Sequence, residues 1–250
     1  MKRTTMLLLA LATAATAFAE VKVTPGDIAD NRGKGKFSKP GLSIELKIAG
    51  PELADCKGLR VVLKEAKDDT GKAIPEQESF MHDGDFQSPQ SPFGGFDDAK
   101  KNEAQSQIDL ENPARSAKSL TLNASVELLI PSKDPAAVIT VDLAKEAGKA
   151  LSAKSLAAAG ASLTFKAPSG SDVTYTISDP NKKVASVEIC SADGKPLETS
   201  GRMTSGFSGK KEVSISLRGS APAGAIAKVY LLTDKSVVTV PVKLSSVPLP

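Results

Sequence analysis

The chain has 250 residues, with 32 Lys+Arg against 29 Asp+Glu, one His, two Cys, two Tyr and no Trp. Without Lys2 and Arg3, which fall in the leader described next, 30 basic residues face 29 acidic ones, a net of +1. That balance gives no field to draw nucleic acid, two Tyr make poor platforms for stacking bases or sugars, and one His with two Cys is too few ligands for an ordinary zinc site.

Residues 1–19 read as a secretory signal peptide. Lys2 and Arg3 form its basic start, Met6–Leu11 its apolar centre, and Ala17-Phe18-Ala19 a small-x-small cleavage site. The apolar part is too short to cross a bilayer, and the rest of the sequence has no run of membrane length. The expected mature protein begins at Glu20, is soluble, and is periplasmic or secreted with no membrane insertion. Gly33-Lys34-Gly35-Lys36 follows as a basic tract. It lacks the strand-to-helix setting and the hydroxyl partner of a phosphate loop, and reads as a solvated loop.

Leu42-Ser43-Ile44-Glu45-Leu46-Lys47-Ile48 is apolar at every second position, the mark of a strand with one buried face. The run Leu59–Ile74 follows, closed by the turn Asp69-Thr70-Gly71-Lys72. Gln107–Leu110, Ser125–Ile130 and Val138-Ile139-Thr140-Val141 are further strands. The second half says the same again. Val173–Ser178 answers Leu42–Ile48, and Val184–Leu197 with Ala192-Asp193-Gly194-Lys195 answers the first turn. Val213–Leu217, Lys228–Leu232 and Val237-Val238-Thr239-Val240 complete the series. Order and kind agree over at least five elements, so the chain reads as an internal duplication.

The gaps between runs are mostly too short for crossover helices, so the sheets are expected to be antiparallel. About seven short strands per module is the pattern of an immunoglobulin-like or fibronectin-like sandwich. The predicted class is therefore all-β: two tandem antiparallel sandwiches, with a short helix at the junction. Module 1 spans residues 20–144 and module 2 residues 145–250. The helix is Ser152–Gly160, with Ser152 able to cap its start and Gly160 its end. Tyr175 and Tyr230 fall in predicted strands and are expected in the core.

Module 1 carries a long insert, residues 75–105, absent from module 2. Phe80, Met81, Phe86, Phe93 and Phe96 are costly to leave in water, at roughly 1.5–3 kcal/mol for each large side chain that could be buried. Two readings stand. The insert docks into a protein partner, or it folds back over a sheet edge and closes the core. Asp83, Asp85, Asp97 and Asp98 lie in the same insert beside His82. Hard cations take several such oxygens from loops, but no EF-hand spacing follows, and a solvated acidic loop is the plain alternative. The single His allows at most one Ser-His-Asp arrangement, and no Gly-x-Ser-x-Gly elbow occurs.

Cys56 precedes a module 1 strand and Cys190 ends a module 2 strand. In Val184–Cys190, Ala185, Val187 and Ile189 share a face. Cys190 therefore falls with Ser186 and Glu188 on the wetter face, within reach of solvent. A Cys56–Cys190 disulfide would fix the angle between the modules; two free thiols is the other reading.

In layout the chain resembles bacterial exported proteins with tandem immunoglobulin-like modules. It is also similar in layout to the periplasmic pilus chaperones, which are paired immunoglobulin-like domains. Their Pro-Pro segment has no counterpart here, and Ser125–Pro131 supplies only an alternating strand. The expectation is a non-enzymatic binding or scaffold protein, with no cofactor, that recognises another protein through the insert or by pairing an edge strand with an extended peptide. Its alternatives are a metal-dependent hydrolase using His82, Asp83 and Asp85, and a structural envelope component.

Overall fold

A computed structural model describes residues 21–33, 39–77, 86–87, 102–206 and 210–250. The proposed leader and most of the insert lie outside these residues. The described chain is all-β apart from short helical turns. In order the strands are β1 (Lys22–Asn31), β2 (Gly41–Ala49), β3 (Gly58–Asp68), β4 (Glu103–Leu110), β5 (Ser119–Leu129), β6 (Val138–Asp142), β7 (Ser162–Phe165), β8 (Asp172–Ser178), β9 (Val184–Cys190), β10 (Thr199–Ser205), β11 (Lys210–Leu217), β12 (Ile226–Leu231) and β13 (Val237–Pro248). All pair antiparallel.

Four sheets form, ordered β1-β2-β4, β13-β5-β3, β7-β8-β11-β10 and β6-β12-β9. The alternating residues fix which face of each strand is buried. Leu42, Ile44, Leu46 and Ile48 of β2 meet Leu120, Leu122, Ala124, Val126 and Leu128 of β5 in one apolar cluster. A separate cluster joins Val173 and Tyr175 of β8 to Val187 and Ile189 of β9 and Ala227 and Val229 of β12. Each large aliphatic side chain sealed this way contributes about 1.5–3 kcal/mol. Both tyrosines are buried, as the sequence predicts.

The echo between the halves extends to individual hydrogen bonds. Asp68 N donates to Lys72 O at 3.0 Å and Gly71 N to Asp68 O at 3.0 Å. In the second half Ser191 N donates to Lys195 O and Gly194 N to Ser191 O, both at 2.9 Å. Gly71 and Gly194 hold φ at 88° and 83°, a region where a side chain is strained. Beyond each turn the returning chain pairs alike: Ile74 N to Ala66 O at 2.9 Å, and Leu197 N to Ile189 O at 2.8 Å.

The closing strands depart from the expected division at residues 144 and 145. β6 pairs with β12, with Val229 opposite Ile139. β13 pairs with β5, with Val240 opposite Val126. Each half therefore ends on a strand that completes the other, and the units are nested rather than tandem. The second unit runs unbroken from β6 to β12, whereas the first is built from β1–β5 plus β13. The physical reason is plain. Alternation specifies which face of a strand is buried, not which strand lies beside it, and Val138–Val141 and Val237–Val240 alternate alike.

Two smaller expectations are also corrected. The insert ends earlier than residue 105, because β4 begins at Glu103. The helix α1 is Lys154–Ala158, and Ala153, not Ser152, is its N-cap, without a side-chain bond. Its C-terminal end is as expected: Gly160 N donates to Ala157 O at 3.0 Å and Ala161 N to Leu156 O at 3.1 Å, the paired bonds of a Schellman ending. Leu156 lies in the second core, so the helix belongs to that unit.

Candidate binding surface

Of the predicted site residues, Phe80, Met81, His82, Asp83, Asp85, Phe93, Phe96, Asp97 and Asp98 lie outside the described residues. Phe86 is described, and it is half-buried. The Arg60 guanidinium sits 4.6 Å from its ring centroid, a cation–π distance. Its neighbour Gln87 exchanges two backbone hydrogen bonds with Leu59, each 2.8 Å. Phe86 and Gln87 thus lie against the outer edge of β3 at Leu59.

The cysteines also differ from expectation. Both thiols are free and buried. Cys56 Sγ donates to Gly58 O at 3.0 Å. Cys190 does not stand on a wet face: its exposure is 0%. On that face Lys57 of the first unit meets Glu188 and Tyr230 of the second. Lys57 Nζ donates to Glu188 Oε1 at 2.9 Å and lies 5.8 Å from the Tyr230 ring centroid, while Tyr230 OH donates to Glu188 Oε2 at 2.5 Å. Burial pushes both thiols above the ordinary value, and for Cys190 the Glu188 carboxylate pushes the same way. Burial and the Glu188 bond likewise raise the Tyr230 hydroxyl. These groups are a clamp between the units and poor nucleophiles, since the thiolate is the reactive form.

The sheet edges separate into two kinds. An open edge is a template for another strand, and proteins blunt theirs with covers, charges, prolines or bulges. Most edges here are blunted. β3 is covered by Gln87. β4 is covered by Gln77 N donating to Asp109 O at 2.8 Å and Glu111 N to Pro75 O at 2.9 Å. β7 is covered by Gly148 N to Phe165 O at 2.8 Å and Leu151 N to Leu163 O at 2.9 Å. β1 is broken by a bulge between Pro25 and Ile28, and β13 by Pro241, Lys243 and a bulge between Leu244 and Val247.

β10 is the contrast. Thr199-Ser200-Gly201-Arg202-Met203-Thr204-Ser205 is exposed along its whole length. It has no proline, lysine or acidic residue, and its one bulge lies at the start, between Thr199 and Gly201. From Gly201 to Ser205 it pairs regularly with β11 on one side and ends its sheet on the other. Met203 is 70% exposed. Arg202 is held by donating to Tyr175 OH at 3.0 Å. Sequence reasoning missed this strand because it carries no apolar alternation; its signals are the missing proline and lysine and the ladder imposed by β11.

The charge around β10 is uneven. Arg202, Lys210 and Lys211 are exposed, and none forms an ion pair with a described residue. The nearby carboxylates are engaged: Glu212 accepts from Lys166 at 2.8 Å, and Glu198 lies 3.7 Å from Arg218. No protein-family model matches the chain, and no curated protein matches it.

Proposed function

We propose that the chain is an exported, non-enzymatic binding or scaffold protein that recognises another protein by strand addition to β10. In this reading its body is two immunoglobulin-like sandwiches, the second nested in the first. The orders β7-β8-β11-β10 and β6-β12-β9 support it. They follow the four-plus-three arrangement of constant-type immunoglobulin domains, with β6 as closing strand. Among the described residues the first unit has three strands in each sheet, β1-β2-β4 and β13-β5-β3, with β13 as its closing strand.

The observation that carries the function is the edge of β10, left uncovered by any described residue and free of the prolines, lysines and mid-strand bulges that interrupt β1 and β13. Strand addition takes affinity from backbone hydrogen bonds and specificity from alternate side chains. The test is amide exchange on the exported protein in complex with whatever it retains from the envelope or culture fluid. Slowed exchange over residues 199–205 supports the reading. Firm binding that leaves those amides unprotected overturns it.

A further inference from the structure

The partner's chemistry can be read from what surrounds the edge, given the edge-pairing reading above. Paired residues on neighbouring strands project to the same face. Arg202 stands opposite Ile215 and Thr204 opposite Val213, so Arg202 and Thr204 project to the core side of the sheet. Lys211, opposite Ile177 and two residues before Val213, projects to that side too. Met203 stands opposite Ser214 and projects to the outer side with Lys210. A strand laid along β10 would meet Arg202 and Lys211, unpaired by any described carboxylate, on one face, and the exposed Met203 side chain with Lys210 beyond it on the other.

We propose that β10 receives an extended acidic segment of a partner protein as an added strand, with acidic side chains alternating with apolar ones. The acidic positions face Arg202 and Lys211, and the apolar positions lie against Met203. A basic segment is disfavoured, because like charges on adjacent strands repel. A second copy of this chain is disfavoured for the same reason, since it would bring another Arg202 and two more lysines to the edge.

The experiment uses the mature chain and two capped heptapeptides, one alternating Glu and Val, the other alternating Lys and Val. Binding is followed by calorimetry and located by amide exchange. The acidic peptide is expected to bind and to protect residues 201–205. Its affinity should fall on the order of tenfold between about 50 and about 500 mM salt, as exposed charge pairs are screened. The double variant Lys210→Glu with Lys211→Glu should lose the acidic peptide while keeping the parent melting temperature. Backbone N–H groups alternate in direction along a strand, so one of Met203→Pro and Thr204→Pro removes an outward donor and should abolish binding.

Equal binding of both peptides, unaffected by the charge reversal, overturns the acidic preference and leaves edge pairing standing. Protection by neither peptide overturns both readings. Protection of residues 201–205 by self-association at high protein concentration makes a second copy the occupant, and overturns the proposal.

Discussion

Leu129 at the end of β5 stands directly opposite Val237 at the start of β13, although the whole second unit lies between them in sequence. One residue on, Ile130 N donates to Ser236 O at 2.7 Å. The two connecting segments therefore leave and return side by side. They are tied together there: Thr233 Oγ1 donates to Asp134 Oδ2 at 2.6 Å, and Asp134 Oδ1 accepts from Ala136 N at 3.0 Å. Ser236 is fully buried, and its hydroxyl donates to Leu231 O at 3.1 Å while accepting from Thr233 N at 2.9 Å. Adjacent entry and exit points are what let one domain sit inside another without distorting it.

Nesting makes a prediction that tandem order does not. A fragment of residues 134–233 holds β6 through β12 and is expected to fold alone. A fragment of residues 145–250 lacks β6, leaves β12 unpaired on one side, and is expected to be unfolded or aggregated. Removing residues 131–235 and joining the ends through a two-residue Asn-Gly turn would make β5 and β13 a hairpin, and the first unit should fold around it. Far-ultraviolet dichroism and melting curves decide. A cooperative melt for 145–250 with none for 134–233 would refute the nested arrangement.

The thiols give a simpler check. Both are buried, and burial raises both, so an aromatic disulfide reagent should label neither in the folded protein at neutral pH. In denaturant without reductant it should label two. Fast labelling of Cys190 in the native state would contradict its burial.

Stability should be flat near neutrality and fall at both ends of the pH range. Burial works against the charged form of the Asp68 carboxyl, but hydrogen bonds from Thr70, Ala114 and Lys72 outweigh it and hold its pKa below the ordinary value. Thr233, Lys145 and Ser191 likewise depress Asp134, Asp142 and Asp193. Groups lowered in the folded state stabilise fully above the unfolded value of about 4, and that contribution is lost as pH falls through the folded values. The buried thiols and the Tyr175 hydroxyl are raised, burial being the first cause. Their contribution is complete below the unfolded thiol value of about 8.5 and is lost as pH rises beyond it. Asp68→Asn cannot accept all four donors, so it should lower the melting temperature at pH 7 and flatten the acid limb. An acid limb unchanged in that variant would remove Asp68 from the account.

Where Lys57 meets the second unit, Tyr230→Phe deletes the donor to Glu188, a bond within that unit, without changing shape. A hydrogen bond to a charged group is worth about 1.5–3 kcal/mol, and about that much should be lost in denaturant titration. Lys57→Met should lose less, because the Lys57 side chain is 34% exposed and exposed ion pairs contribute about 0–1 kcal/mol. Losses in the reverse order would show the ion pair, not the phenol, to be the stronger part of the clamp.

How much of this was legible differs by element. Leu42–Ile48 states its buried face outright, and Gly71 and Gly194 state their turns, because both depend on chemistry within a few residues. Val138–Val141 does not state its partner, since β12 and β5 present similar apolar rows and only the path of the linkers decides between them. Alternation within β9 puts Cys190 on a wet face, yet it is fully buried; alternation along one strand does not report what packs on that face from outside it, where Lys57 of the first unit meets Glu188 and Tyr230. β10 has no pattern of its own and is a strand only because β11 makes it one.

The insert can be decided at Phe86. The Arg60 contact adds about 0.5–1 kcal/mol, and a half-buried phenylalanine about half of the 1.5–3 kcal/mol of a buried one. Phe86→Ala should therefore cost about 1.3–2.5 kcal/mol. A Cβ at Gly58 would approach Phe86 Cβ to 3.1 Å, so Gly58→Ala should push the insert off β3 and cost a comparable amount. If the two act through the same contact, the double variant should lose less than the sum of the singles. Full stability in Phe86→Ala, together with loss of a bound partner, would return this residue to a recognition role and leave the β3 edge closed by the Gln87 backbone alone.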